Sequence, residues 1–473
     1  MPTPGTDALS PPAGVAPVRS GASPGLRLTA LAAGFVMATL DVTVVNVAGP
    51  AVQEDLHASL SELTWIVDGY VLVFGSLLLL GGGLANRLGA KKVYLWGMAV
   101  FFVASLGCAL APDAASLVVA RLVQGVGAAL FMPSSLSLLV LSFPGKRERT
   151  RMLGLWSAIV ATSAGLGPSV GGLLVGAFGW RSIFLLNLPV GIAGILLTVR
   201  FVTATEVRPV RLAVPGHVLW IAALAALSFA LIEGPRLGWA AGALLVSYAV
   251  LAVSGGALVA RERRATHPVM PWSLFRRAGF SGANLVGFLF NFGLYGGMFM
   301  FALYLQRSRG DGPLRAGLEM LPMTVCIPMA NLVYARVSAR FSNGALLTLC
   351  LLVAGAASAS MSEVSASTPY WVVALGVGVA NLGAGIVSPG MTAALVDSAG
   401  PENANVAGSV LNANRQIGTL VGVAVMSVVL AAVPDWDRGP GVCFLLVGVA
   451  YIAAAACAWQ LITRSERREA ATV

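Results

Sequence analysis

The stretch "GFVMATLDVTVVNVAGP", residues 34–50, decides the fold class. It is apolar almost throughout and predicts a helix, yet Asp41 lies near its middle. An apolar run of about 18 residues or more is long enough to cross a bilayer. A carboxylate at that depth costs about 2.5–3.5 kcal/mol on insertion scales, so it must face the protein interior, pair with a cation or bind a proton. Asp41 is therefore predicted to be either a titrating switch or a structural hydrogen-bond partner.

The rest of the chain has the same apolar character. Its 473 residues are 57% hydrophobic and only 11% charged, whereas a soluble domain has about 25% charged residues. About fourteen apolar runs are long enough to span a membrane. The sequence thus predicts an all-α polytopic membrane protein. The predicted spans are 28–49, 63–85, 93–111, 117–141, 153–177, 182–203, 214–233, 240–260, 280–305, 316–337, 345–363, 370–395, 407–432 and 441–462.

The net charge of +10 predicts orientation in the membrane. Its basic clusters fall on alternate connections and on the tails, which places both termini in the cytoplasm by the positive-inside rule. No cluster has interleaved aromatic residues, so nucleic-acid binding is not expected. The clusters are Arg87/Lys91/Lys92, Lys146/Arg147/Arg149/Arg151, Arg261/Arg263/Arg264 and Arg464/Arg467/Arg468.

The two tails and the cysteines carry little functional signal. Residues 1–27 lack the charged leader of a signal peptide and are predicted to be a disordered cytoplasmic tail. Residues 463–473 are predicted to be a second cytoplasmic tail. The five cysteines are scattered singly in apolar runs, which argues against disulfides and metal sites. They are Cys108, Cys326, Cys350, Cys443 and Cys457.

An internal repeat predicts two related halves. "GAALFMPSSLSLLV", from Gly127, aligns with "GAGIVSPGMTAALV", from Gly383, at one fixed offset. Duplicated six-helix halves around a central cavity are a transporter architecture. We predict six-helix halves at 28–203 and 280–462. Between them, 204–279 would hold two extra transmembrane helices and a cytoplasmic linker.

Two further ionisable residues of the first half are candidates for proton coupling. Asp68, in "WIVDGYVLVFGSLLLL", lies close to the outer end of its span, where it is either a second protonation site or an interfacial residue. Arg121, in "ARLVQGVGAAL", shares a helix face with Gln124. A cation within reach of Asp41 would change how readily that carboxylate binds a proton.

The second half carries its own polar residues at membrane depth. Arg415, in "LNANRQIGTLVG", shares a face with Gly418 and Gly422. Glu319 is either a cavity residue or interfacial. The residues predicted to line a substrate cavity are Asn46, Gln124, Asn291, Glu319 and Arg415.

Two glycine-rich stretches predict close helix packing and gating. "AGLGPSVGGLLVGAFG" contains two successive GxxxG pairs, Gly167/Gly171 and Gly172/Gly176, and a proline that should kink the helix. Its motif residues are Gly167, Pro168, Gly171 and Gly172. The short basic loop "GGLANRLGAKK" should tie two helices rigidly together. Its motif residues are Gly82, Asn86, Arg87, Gly89 and Lys91.

Together with "LDVTVVNVAGP", "LVVARLVQGVGAA" and "WRSIFLLNLPVG", these stretches resemble the fourteen-span drug:proton antiporters of the major facilitator superfamily. The resemblance implies the major facilitator fold and export by alternating access across the cytoplasmic membrane. It also implies Asp41 and Arg121 as the coupling pair, with Asp68 as a second candidate. Asn86 departs from the family pattern, because an aspartate usually stands there and is thought to latch the cytoplasmic side.

The resemblance therefore predicts a proton-coupled antiporter that exports an antibiotic or other small drug and confers resistance. It would act as a monomer, be driven by the proton gradient and need no cofactor. If the substrate carries a carboxylate, Arg121 or Arg415 is expected to face it. The alternative is a proton-coupled uptake symporter on the same fold. An enzyme is not expected, since the chain has no H-E-x-x-H or G-x-S-x-G motif and its three histidines are far apart.

Overall fold

The computed structural model describes residues 24–143, 145–203, 214–264, 272–338, 340–400 and 404–466. These residues are almost entirely helical and form no β-strand. The predicted all-α fold is therefore confirmed. Most of the two predicted tails, residues 1–23 and 467–473, lies outside the described residues.

The first half contains seven helices, because the sixth predicted span is divided into two. They are α1 (Pro24–Leu56), α2 (Leu60–Leu88), α3 (Ala90–Ala109), α4 (Ala114–Ser142), α5 (Lys146–Phe178), α6 (Ser182–Leu185) and α7 (Asn187–Phe201). The middle of the chain forms α8 (Val214–Leu237) and α9 (Gly242–Arg264).

The second half begins after a short helix, α10 (Trp272–Phe275). It contains α11 (Ala278–Leu303), α12 (Pro313–Glu319), α13 (Leu321–Val337), α14 (Asn343–Ala359), α15 (Tyr370–Ala399), α16 (Ala404–Ala432) and α17 (Gly439–Cys457). Single π-helical stretches, Tyr304–Ser308 and Ala458–Thr463, extend α11 and α17.

Local sequence signals set several helix ends. Ser59 caps α2 and forms a capping box with Glu62, and Asp113 caps α4 through the backbone N–H of Ser116. Between α2 and α3, Gly89 adopts a φ of 93°. A side chain is strained in that region of backbone space, which explains the glycine in the short basic loop.

Twelve helices of the described residues are long and apolar enough to cross a membrane. The predicted spans 316–337 and 345–363 correspond to shorter helices. The first is broken at Met320 into α12 and the 17-residue α13, and the second is the 17-residue α14. The total of fourteen spans therefore stays a prediction.

The two halves repeat the same packing, as the aligned motifs predict. Gly127 of α4 packs against α3, where an added Cβ would lie 2.7 Å from the backbone nitrogen of Phe101. Its counterpart Gly383 of α15 packs against α14, where an added Cβ would lie 2.6 Å from the carbonyl oxygen of Cys350. In both halves, a small residue lets the third and fourth spans approach closely.

The halves meet along two seams. In one seam α2 packs against α16, and in the other α5 packs against α12 and α13. Helix α8 packs on both α2 and α16, so it covers the first seam from outside, and α9 packs on α8. We call the end that carries residues 57–59 the outer end and the opposite end the inner end, after the predicted orientation.

Candidate functional site

The centre of the first half is a buried ion pair between Asp41 of α1 and Arg121 of α4. The guanidinium Nη1 donates to Asp41 Oδ2, and the two side chains are 2% and 1% exposed. Arg121 also donates through Nε to the carbonyl oxygen of Ile66 at 2.8 Å, and it lies over the ring of Tyr70. Such pairing and hydrogen bonding is what makes a buried charge tolerable.

Three amide and hydroxyl side chains complete the shell around Asp41. Its Oδ1 accepts from Gln124 Nε2 at 3.3 Å and from Asn187 Nδ2 at 3.2 Å. Both amides also donate to Ser105 Oγ, at 2.8 Å and 3.3 Å. Side chains of α1, α3, α4 and α7 therefore form the ion pair and its surrounding hydrogen bonds, and a shift of any of these helices would disturb it.

A small cavity lies beside this ion pair, between the two halves. Its volume is about 10 Å³, room for about one water molecule in this state. Residues of α1, α2 and α4 line it on one side and residues of α11 and α16 on the other. The lining is Val42, Asn46, Val67, Val71, Arg121, Tyr295, Thr419 and Val423. Arg121 therefore contacts both the buried carboxylate of Asp41 and the cavity between the halves.

Asn46 is the predicted cavity residue that the structure places in the cavity wall with an unmet acceptor. Its Nδ2 donates to the carbonyl oxygen of Val42 at 2.9 Å, while its buried Oδ1 has no hydrogen-bond partner among the described residues. Gln124 belongs to the Asp41 shell. A free acceptor in a cavity wall is a ready contact for a bound molecule with an N–H or O–H group.

The other predicted cavity residues are dispersed. Asn291 is buried in α11 and donates to the carbonyl oxygen of Gly287. Arg415 is half-buried on α16, one helical turn before Thr419. Glu319 lies away from the cavity, in a cluster at the outer end where it accepts from Arg315 at 2.9 Å. Glu319 therefore does not line this cavity in the present state, and its cavity and interfacial alternatives both stay predictions.

Asp68 is fully buried among the helices, and its two alternatives, a second protonation site or an interfacial residue, both stay predictions. Both carboxylate oxygens lack a hydrogen-bond partner among the described residues. On α2, Asp68 follows Thr64, whose hydroxyl donates to Ser427 of α16 at 2.7 Å, and precedes Gly75, which packs against Gln416 of α16. Asp68 therefore lies in the seam between the halves.

The extra helix α8 closes the outside of that seam. Trp65 Nε1 of α2 donates to Glu233 Oε1 of α8 at 2.9 Å, and Ser61 Oγ donates to the carbonyl oxygen of Ile232. These residues and Asp68 share one face of α2, since they follow one another at i, i+4 and i+7. Helix α8, with α9 packed against it, therefore covers the outside of the seam that contains Asp68.

The glycine-proline motif of α5 contacts both halves. An added Cβ at Gly171 would lie 2.8 Å from Val44 Cγ1 of α1, and Gly167 packs against Thr43 of the same helix. On the adjacent face, Gly172 packs against α12, where an added Cβ would lie 3.1 Å from Gly317 Cα. The motif therefore lets α5 bridge the halves at their outer ends.

We expect Gly172→Ala to open this outer contact. The new Cβ would overlap the backbone of α12, and overpacking of this kind costs about 1–3 kcal/mol. Spin labels at the exposed residues Glu54 and Leu318 should report a longer mean distance in the variant. The matched control is Gly176→Ala, whose Cβ would lie 3.5 Å from Leu314 Cβ, an ordinary contact. Equal distances in both variants would contradict a closing role for Gly172.

The gating-loop motif is partly engaged. Lys91 Nζ donates to the carbonyl oxygen of Val199 at the end of α7, at 3.1 Å. Asn86 and Arg87 are exposed, and Gly82 packs near Pro133 of α4. The motif therefore ties α2 and α3 to neighbouring helices of their own half in this conformation.

The hydrogen bonds between the halves concentrate at their outer ends. Gln306 Nε2 donates to the carbonyl oxygen of Val47 at 3.0 Å, and Ser169 Oγ donates to that of Gly317 at 3.0 Å. A cleft opens beside the inner part of α15, lined by Ser388, Pro389, Thr392, Ala393, Val396 and Asp397. The structure thus represents a state that is closed at the outer end.

The two halves with their repeated packing, the buried ion pair in the first half and the cavity between the halves agree with the family comparison. A model described as Major Facilitator Superfamily matches residues 31–423. The chain belongs to the Major Facilitator Superfamily. It is a multi-pass membrane transporter, and the predicted family is confirmed.

Named relatives of this facilitator extend the comparison. It is 70% identical to the methylenomycin A resistance protein of Streptomyces coelicolor over 95% of this chain and 94% of that protein. It is 45% identical to the methylenomycin A resistance protein of Bacillus subtilis over 91% and 93%. It is 37% identical to the tetracenomycin C resistance and export protein of Streptomyces glaucescens over 86% and 76%. The stretches "LIEGPRLGW" and "AGPENANVAGSVLNANRQIG" are similar to those of methylenomycin A resistance proteins. These two relatives confirm that resemblance.

Solved structures support the fold of this facilitator. A crystal structure of a POT peptide transporter covers 94% of this chain and 96% of that chain, with a TM-score of 0.70 and 16% identity. A POT family transporter in complex with 5-aminolevulinic acid covers 94% and 97%, with a TM-score of 0.70 and 15% identity. At this identity the comparison establishes the fold alone.

Several site residues of this facilitator were not found from the sequence. Asn187 donates a hydrogen bond to Asp41, and Ser105 accepts one from Asn187. Tyr295 and Thr419 line the cavity. Asn187, in "WRSIFLLNLPVG", offered a signal, because an amide inside an apolar run needs a partner. Thr419 and Ser105 offered none, since a hydroxyl can bond to the preceding turn of its own helix.

Proposed function

We propose that this transporter exports a small antibiotic of the methylenomycin type from the cell in exchange for protons that bind Asp41. The names of its relatives support the drug-export part of this proposal. The observation that carries the proton part is the Asp41–Arg121 ion pair beside the cavity between the halves. We propose the cytoplasmic membrane as its location, with both termini inside, and a monomer as the working unit.

In the proposed cycle, Asp41 and Arg121 exchange partners as the halves rock. While the pair is intact, Asp41 is sealed from water and Arg121 needs no other anion. Opening towards the outside would loosen the shell of Gln124 and Asn187, hydrate the carboxylate and let it take up a proton. Neutral Asp41 would then release Arg121, and the rearranged first half would return to the inner side, where the proton leaves. No chemical change of the drug is needed.

The inward movement of one charge supplies the driving force. It provides about 2.3 kcal/mol per 100 mV of membrane potential. Since about 1.4 kcal/mol corresponds to a tenfold ratio, one proton per drug can sustain a gradient of about fifty-fold. Export at useful ratios therefore requires no nucleotide or other cofactor.

Everted membrane vesicles test the proposal. We expect methylenomycin A to accumulate inside them when their lumen is acidified, because protons leaving the lumen would drive the drug inwards. An uptake symporter would instead lose drug from the lumen under the same gradient. Vesicles without the protein provide the baseline. Loss of drug from the lumen, or no change, would contradict proton-driven export.

A further inference from the structure

Arg415 is a cation in the wall between the halves that has no anion of its own. It lies about 17 Å along α16 from Ala404 and about 26 Å from Ala432, at 1.5 Å per residue. At such a depth an uncompensated charge is costly. None of the described residues forms an ion pair or a side-chain hydrogen bond with its guanidinium, which keeps some exposure.

The position of Arg415 on α16 directs it towards the central cavity. Gly418 and Gly422 allow α16 to pack closely against α11. An added Cβ at Gly422 would lie 2.8 Å from Phe292 Cα. Thr419, at i+4 from Arg415, lines the cavity. Tyr295 of α11 also lines the cavity. Arg415 therefore lies on the inner side of the cavity, below Thr419 and Tyr295.

Arg121 cannot serve the same purpose in this state. Its Nε is bonded to Ile66, and its Nη1 is shared by Asp41 and Gln124. Any anion that bound there would compete with the carboxylate of Asp41. Arg415 offers a planar fork of N–H donors that matches a carboxylate in a bidentate arrangement.

We propose that Arg415 is the residue that selects substrates with a carboxylate, holding that group on the inner side of the cavity. This inference rests on the proposed export function and names the substrate class of the same site. The drug would supply the missing counter-charge, and the rest of the molecule would lie against Thr419, Tyr295 and Asn46. A substrate without the carboxylate would leave the guanidinium buried and unpaired.

The charge moved per cycle follows from this arrangement. A proton moving in while a monoanion moves out transfers two charges, whereas a neutral substrate transfers one. The potential inside the cell is negative, so it assists export of the anion. With the same proton count, the carboxylate substrate should therefore show the steeper dependence on membrane potential.

The test compares methylenomycin A as its carboxylate anion with its methyl ester, in liposomes containing the purified protein. The wild type should export the acid in preference to the ester. In Arg415→Gln this preference should fall at least tenfold, because a charge-assisted hydrogen bond contributes about 1.5–3 kcal/mol, while export of the ester continues. Arg415→Lys should keep part of the preference, since it keeps the charge and loses the fork. Arg438→Gln removes an exposed arginine at the outer end and should behave as the wild type.

The outcomes separate the two proposals. If Arg415→Gln loses acid and ester export to the same extent, or keeps the full acid preference, the selection role is wrong although proton-driven export can stand. If Arg415→Gln does not fold, Arg415→Lys decides: equal loss of both substrates overturns the inference, and a reduced preference supports it. If the wild type exports neither compound under a proton gradient, the proposed function itself is wrong.

Discussion

Asp41→Asn is expected to abolish proton-driven accumulation while drug still crosses the membrane downhill. An amide cannot take up and release a proton, yet it keeps the shape of the carboxylate, and its single oxygen can still accept either from Arg121 or from Gln124 and Asn187. In everted vesicles whose lumen is about one pH unit more acidic than the medium, accumulation of a drug exchanged for one proton should fall from about tenfold to no gradient. Exchange of labelled for unlabelled drug, measured without a proton gradient, should persist and show that the variant is folded.

The matched control for Asp41→Asn lies on the same helix. Asp55 is an exposed carboxylate at the outer end of α1, bonded to Arg181 at 2.6 Å and to Trp180 at 3.0 Å. Asp55→Asn removes a carboxylate of α1 without touching the buried pair, so coupled accumulation should remain. Normal uphill accumulation by Asp41→Asn would show that the coupling proton binds elsewhere, and the buried Asp68 would then be the next candidate.

Arg121→Ala is expected to lower the stability of the folded protein more than any other substitution discussed above. It leaves Asp41 buried without its cation, and removing one partner of a buried ion pair costs about 3–5 kcal/mol. It also removes the bond to the carbonyl oxygen of Ile66 and the contact with Tyr70. Unfolding by a denaturing detergent in mixed micelles measures the free-energy loss directly.

A double variant separates the charge effect from the loss of packing. In Asp41→Asn combined with Arg121→Gln neither charge remains, so much of the stability lost in Arg121→Ala should return. Coupled transport should stay absent, because Asp41, the proposed proton-binding group, is gone. If Arg121→Ala unfolds at the wild-type detergent concentration, the pair does not hold the first half together in the way that the geometry indicates.

The sequence marked Asp41 and Arg121 because both are charged residues inside apolar runs, where each needs compensation. Their pairing as the coupling residues was implied by the resemblance to the antiporter family, and the coupling role stays a prediction. The structure brings them together across 80 positions of sequence.

The same reasoning left both Glu319 and Asp68 undecided. Both lie near the ends of predicted spans, where a few residues separate the headgroup region from the interior. Met320 and Pro322 break the tenth predicted span into α12 and α13, so Glu319 stays at the outer end among arginines. Asp68 is buried instead, because α16 and α8 cover its face of α2.

The amino-acid sequence by itself determined the class of this protein, its family, the order of its helices and the residues that cannot rest in lipid. Those features depend on local composition and spacing, which the chain carries along its length. Only the tertiary structure decided that α8 covers the seam beside Asp68, that Asn187 donates to both Asp41 and Ser105, and that Arg415 has no anionic partner among the described residues. The rotation and depth of each helix depend on what packs against it, and the partners come from distant parts of the chain.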